Sequence, residues 1–114
     1  MRLLLATAAL EDWEIKALDV KTAFLYGELD EELYMVQPEG FIKRGQEAKV
    51  YRLRKSLYGL KQASLAWNKK ADHSLKALGF KHLLSDAGIY MLKMDQTIIV
   101  TILYVDDVIF MGNK

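Results

Sequence analysis

Two adjacent carboxylates, Asp106 and Asp107, interrupt the most apolar stretch of the chain, between ILYV and VIFM. Aspartate is a favoured turn residue, and that is the plain structural reading of the pair. Tight hairpin turns, however, usually carry Gly or Asn, because their backbone needs positive φ. Here there is no Gly to relax the turn, and adjacent like charges repel unless a cation or hydrogen bonds offset them. A third carboxylate, Asp19, lies late in another apolar segment, between Leu18 and Val20; its plain reading is a strand-end or capping residue. If the two segments are neighbours in one sheet, the three carboxylates converge at one edge. An oxygen-only set without histidine suits Mg²⁺, with Mn²⁺ as a possible substitute. A pair of such ions about 3.5–4 Å apart clamps an in-line phosphoryl displacement. Spacing alone leaves polymerase, nuclease and phosphatase open.

The elements that must position these residues follow from pattern. Residues 2–12 are good helix formers closed by acidic residues, and 14–20 read as a strand leading into a turn. MRLLLATAAL has a basic start and an eight-residue apolar run, at the short end for a signal peptide, so a helix packed by its Leu and Ala face is the simpler reading. Gly27 and the acidic run 28–32 mark an exposed connection, 33–37 a short strand and Pro38-Glu39-Gly40 a turn. Residues 49–57 place Val50, Leu53 and Leu57 among basic residues, as expected of a strand with one wet, positive face. The clearest helix is 63–78, with Ala63, Ala66, Trp67, Ala71, Leu75 and Leu78 on one stripe and Gly79 to end it. Trp67 reads as core. Strands at 88–93 and 98–104 flank a turn at 94–96, and TIIVTILY reads as buried on both faces; VIFMG then resumes as a strand. The expected class is α+β: an antiparallel sheet backed by helices on one face. Trp13, Ile15, Trp67, Leu75, Leu78 and residues 98–103 should supply its core.

Composition narrows the function. The chain has 114 residues, 52% hydrophobic and 27% charged, typical of one globular domain or part of one. With no cysteine and two histidines, a disulfide scaffold, a zinc finger and a thiol nucleophile are excluded. No apolar run approaches the roughly 20 residues needed to cross a bilayer. The net charge of +1 hides segregation: residues 1–42 carry −6, 43–81 carry +9 and 82–114 carry −2. A central stretch of that charge points to a polyanion such as nucleic acid, although lysines also simply decorate helices and edge strands.

Three segments together carry a resemblance. Tyr104-Val105-Asp106-Asp107 is similar to the Tyr-x-Asp-Asp signature of reverse transcriptases, and it is accompanied, in order, by LDVKTAFLYGELDEELYMVQPEGF at 18–41 and SLYGLKQASLAW at 56–67. The chain thereby resembles the reverse transcriptase of Ty1/copia-type long-terminal-repeat retrotransposons from Leu3 to Gly112. The resemblance implies a polymerase palm and RNA-directed DNA synthesis, with a primer 3′-hydroxyl displacing pyrophosphate from a deoxynucleoside triphosphate with the help of two Mg²⁺ ions. Asp19, Asp106 and Asp107 would be the catalytic carboxylates, with the Val20 carbonyl assisting one metal. Phe24 would close the pocket under the sugar. Tyr58, Gly59, Lys61 and Gln62 would pack against the nucleotide and template, Gly59 allowing close backbone approach. Tyr104 and Val105 would support the primer end, and Arg52, Arg54 and Lys55, with the 63–78 helix, would contact backbone phosphates.

Ser64 stands where the family often has Pro, and Ala87-Gly88 where Pro-Cys is common; neither is a carboxylate of the site. Residues 1–114 are expected to be a single partial domain covering fingers and palm, whose partners include template-primer and the remaining fingers, thumb and ribonuclease H regions of a parent polyprotein. Its uncovered apolar surface is an expected liability. A parent element would work in cytoplasmic particles, and the sequence itself encodes no address. The alternatives are a nucleic-acid-binding module without catalysis, or an element remnant with no function.

Overall fold

Arg2–Leu10 coils into helix α1, as its run of Leu and Ala favours, and Asp12, in a left-handed conformation at φ 52°, reverses the chain into strand β1, Glu14–Asp19. In the computed structural model, which describes residues 1–113, the order continues with a 3₁₀ turn at Ala23–Tyr26, β2 at Tyr34–Val36 and β3 at Val50–Arg52. Helix α2 follows at Ala63–Ala77, then β4 at Lys81–His82, β5 at Ile89–Met94, β6 at Thr97–Tyr104 and β7 at Asp107–Gly112. Five strands form one antiparallel sheet in the order β1-β7-β6-β5-β4, while β2 and β3 pair separately as a two-stranded ribbon. The class is α+β. Among the described residues, no helix is long and apolar enough to cross a membrane.

Strand β6 runs through the middle of the sheet, and its alternation builds two cores. Ile98, Val100 and Ile102 pack with Ile89, Met111 and the Leu4, Leu5 and Ala8 side of α1. Ile99 and Leu103 face the other way, with Tyr90, Val108 and Trp67, Ala71 and Leu75 of α2. The expectation of helices on one face is therefore corrected: α1 and α2 cover opposite faces. The physical reason is that both faces of β6 are apolar, so each needs a cover.

Other expectations are corrected too. Leu78 is 70% exposed, because α2 ends before it, and Ile15 is 49% exposed, because β1 is an edge strand with no layer over it; Trp13 is only partly buried. The basic strand expected over 49–57 is reduced to three residues paired with β2. Strand β4, two residues long, had no periodic signal to announce it. Gly27, expected on an exposed connection, is buried against α2. A Cβ there would lie 2.9 Å from both the Ala66 Cβ and the Trp67 backbone nitrogen. Since Gly27 has φ −67°, any residue tolerates its backbone, and only the crowding demands glycine. Gly27→Ala should accordingly lower unfolding free energy by about 2 kcal/mol, the usual scale for overpacking a rigid contact, as read by urea denaturation.

A second tie joins α2 to the sheet. The Tyr90 hydroxyl donates to the Asp72 carboxylate at 3.1 Å, and Lys76 pairs with the same carboxylate at 2.8 Å. The Lys76 hydrogen bond holds Asp72 below the usual carboxylate range, while burial first and the Asp72 contact second push the Tyr90 phenol up to about 12. Because the folded phenol holds its proton more tightly than an unfolded one, this contribution to stability is complete below pH 10 and lost as pH rises towards 12. For Asp72 the sign reverses: its contribution is present above the ordinary carboxylate pKa and lost as pH falls through the depressed one. Asp72→Asn should lower the Tyr90 midpoint in an ultraviolet phenolate titration without returning it to the ordinary value, since burial remains.

Candidate active site

Asp19 is the last residue of β1 and lies opposite Asp107, the first residue of β7, in the antiparallel register. Cross-strand partners share a face and bring their Cβ atoms within about 5.5 Å. Tyr104 is the partner of Asp107 on the other side, so the β6–β7 loop consists of Val105 and Asp106 alone. Only Asp106 therefore sits in the turn, a correction to the reading of both aspartates at its tip. One carboxylate oxygen from each of Asp19, Asp106 and Asp107 lies within 4.8 Å of the others. Asp19 and Asp107 are exposed and Asp106 is half-buried. Among the described residues, none of the three takes part in an ion pair. Three uncompensated carboxylates this close repel one another, and a hard divalent cation with oxygen ligands is the species that relieves this.

The backbone around them is strained. Val105 has φ 56° and Thr22 has φ 53°. Both are β-branched, for which the left-handed region is a genuine outlier, and both lie within three residues of a carboxylate of the site. The Met94–Thr97 hairpin uses the same device, with Asp95 at φ 51°; aspartate tolerates that conformation, whereas valine does not. Two hydrogen bonds offset the cost at Val105. The Trp67 indole N–H donates to the Val105 carbonyl across 38 residues of sequence, and the Val20 N–H donates to the Asp106 carbonyl at 2.8 Å. The first ties the turn to α2 and the second ties it to the end of β1. Trp67 is core, as its stripe predicts, and it also positions the site. No local signal in the sequence discloses that role, because its partner is a backbone oxygen on another element.

The remaining candidates divide into groups. Phe24, in the 3₁₀ turn, and Tyr58 bring their rings together at a centroid distance of 4.9 Å, with Tyr58 half-exposed. Gly59 has φ 90° with nothing within 4 Å of where a Cβ would stand, so within the chain its glycine is required by conformation and not by close approach. Lys61 is exposed, and Gln62 is half-buried just before α2. Tyr104 and Val105 are both exposed beside the carboxylates. Arg52, Arg54 and Lys55 belong to the ribbon and the segment after it, outside the five-stranded sheet that carries the aspartates. Arg52 is already paired with Glu32 at 2.7 Å, and Lys55 bridges Glu28 through the backbone.

This geometry makes the turn a strained element whose stability is open to measurement. Val105→Gly should raise the unfolding free energy by about 1 kcal/mol, because relief of a left-handed β-branched residue outweighs the added freedom of the unfolded chain. Trp67→Phe should lower it by at least about 1 kcal/mol through the lost hydrogen bond alone. Urea denaturation of both variants checks the pair.

Comparison with known proteins follows the same motifs. The family described as reverse transcriptase (RNA-dependent DNA polymerase) matches residues 1–114. The chain is 45% identical over 114 residues to the retrovirus-related Pol polyprotein from transposon TNT 1-94 of Nicotiana tabacum, covering 99% of this chain and 9% of that protein. It is 42% identical over 113 residues to the corresponding polyprotein from transposon RE2 of Arabidopsis thaliana, covering 99% and 8%. A putative transposon Ty5-1 protein of Saccharomyces cerevisiae is 38% identical over 92 residues, 81% of this chain and 30% of that protein. The chain thus spans under a tenth of the length of the plant relatives. No solved structure matches.

Proposed function

The chain belongs to the reverse transcriptase family, and on that premise we propose that it is the metal-binding palm portion of an RNA-directed DNA polymerase from a Ty1/copia-type retrotransposon polyprotein. The observation that carries this reading is the convergence of Asp19, Asp106 and Asp107 at the joined ends of β1 and β7. The donor set is all oxygen and fits Mg²⁺ or Mn²⁺. When bound, such ions supply charge neutralisation at a transferring phosphoryl group and activation of the attacking oxygen.

The chain's own residues supply position. Asp19 and Asp107 present their carboxylates from paired strands, and Asp106 adds a third from the turn. The Val20 amide, bonded to the Asp106 carbonyl, fixes the spacing between strand end and turn; the Val20 carbonyl is the backbone oxygen assigned to the metals. Phe24 and Tyr58 offer an aromatic pair against which the sugar and base of a deoxynucleoside triphosphate rest. Gly59 leaves open space at that wall, Lys61 places a cation beside it, and Gln62 adds an amide. Tyr104 and Val105 meet the primer end. Arg54 and Lys55, with Arg52 once released from Glu32, meet template-primer phosphates. The missing walls of the cleft belong to the rest of the polyprotein: further fingers, the thumb and ribonuclease H.

Paramagnetic Mn²⁺ broadening in NMR spectra tests the site directly. Broadening should centre on residues 19 and 106 together, and Asp19→Asn or Asp106→Asn should each abolish it. In the longer polyprotein fragment that includes fingers and thumb, Asp106→Asn should cut primer extension about a thousandfold, the scale of losing several kcal/mol of metal-derived stabilisation. Broadening that survives both substitutions would leave a nucleic-acid-binding module without catalysis.

A further inference from the structure

The segregated charge of the sequence is folded back on itself. Residues 28–32 carry four carboxylates, and the three at alternate positions, Glu28, Asp30 and Glu32, each meet a cation from the basic segment 43–81. Glu28 pairs with Lys70 at 3.6 Å, Asp30 with Lys69 at 2.6 Å, and Glu32 with Arg52 at 2.7 Å. The cations come from two separate elements, α2 and β3, so one short segment bridges helix and ribbon. A cleft of about 330 Å³ opens between this segment and α2, lined by Glu28, Asp30, Lys69 and Lys70. All six side chains keep at least two fifths of their surface in solvent. Pairs so exposed contribute little to stability, typically under about 1 kcal/mol each, and are easily exchanged for another anion.

We propose that Arg52, Lys69 and Lys70 form a phosphate-binding surface for a nucleic-acid strand, and that the 28–32 segment is an internal competitor that occupies it until a polynucleotide displaces it. A row of carboxylates set against a row of cations is what a strand of phosphates replaces with higher charge density and with release of its own counterions. Binding at this surface opens the three ion pairs and frees the acidic segment; no bond is made or broken. The inference rests on the nucleic-acid reading above but not on the metal site, which the experiment leaves out.

Anisotropy of a fluorescent oligo(dT), titrated with the chain at low salt in EDTA, measures the competition. The triple variant Glu28→Gln, Asp30→Asn, Glu32→Gln should bind about tenfold more tightly than the parent, the summed scale of three exposed pairs. A charge-matched control, Glu11→Gln, Glu14→Gln, Glu39→Gln, should change affinity less than about twofold. Adding Lys69→Gln and Lys70→Gln to the first triple should remove the gain. Asp30→Asn alone, which frees Lys69, should give a gain of about two- to threefold and covers the case of a triple variant that does not fold. Equal gains in both triples, a gain that survives loss of Lys69 and Lys70, or no gain at all would overturn the proposal. Such a result, with Mn²⁺ broadening still centred on residues 19 and 106, removes the competitor and leaves the polymerase reading in place.

Discussion

A single indole N–H, from Trp67 to the Val105 carbonyl, fixes where the β6–β7 turn sits relative to α2. That turn has only two residues, and the first is a valine held at φ 56°. A left-handed valine survives only where its surroundings over-determine it. Here the surroundings are the antiparallel ladders that join β6 to β5 and to β7 on one side and the helix on the other, with the Val20–Asp106 backbone bond closing the gap to β1. Gly27 belongs to the same arrangement, because it lets the segment after the 3₁₀ turn pass within contact of Ala66 and Trp67. Were that passage wider, α2 could not stand where its tryptophan reaches the turn. The carboxylate cluster is therefore a product of helix packing as much as of strand register.

The electrostatics divide between two regions with opposite logic. At the sheet end, three carboxylates converge without a counter-charge among the described residues. Around α2 and the ribbon, opposite charges meet in three pairs: Glu28, Asp30 and Glu32 on one side, Lys70, Lys69 and Arg52 on the other. Net charge by segment exaggerates the basic surface presented to solvent, because sequence segregation and spatial segregation are different things. The unbalanced acidic end is the informative one, since a fold that neutralises charge elsewhere leaves it bare there.

Most of the regular structure was legible because it rests on periodicity. Helix α2, the β5–β6 hairpin and the doubly buried β6 follow from patterns of 3.6 and 2 and from the Gly79 stop, which adopts φ 94°. The pairing of Asp19 with Asp107 followed once β1 and β7 were neighbours, which the sequence could pose only as a condition. Four things were not legible. Which face each helix takes depends on the path of the chain through Asp12 and is not written in either amphipathic stripe. The exposure of Ile15 and Leu78 reflects an edge and a helix end, and a pattern of apolar residues does not locate edges. The Trp67–Val105 contact joins a side chain to a backbone oxygen 38 residues away, and backbone oxygens have no sequence. Likewise the three ion pairs of the 28–32 segment link charge blocks whose mutual approach depends on tertiary structure.

Strand β1 borders only β7, and all six of its residues are exposed. Its outer row of amides and carbonyls is unsheltered by a further strand, so Asp19 inherits the opening free energy of an edge while Asp107 is held within the sheet. The cluster thus joins a firm half to a loose half. An edge position implies that amide hydrogens along residues 14–19 should exchange through local fraying, and a central one that those of β6 should wait for global unfolding. Any strand that hydrogen-bonds to the outer side of β1 would slow the first without touching the second, and would stiffen the carboxylate cluster without meeting a single one of its oxygens.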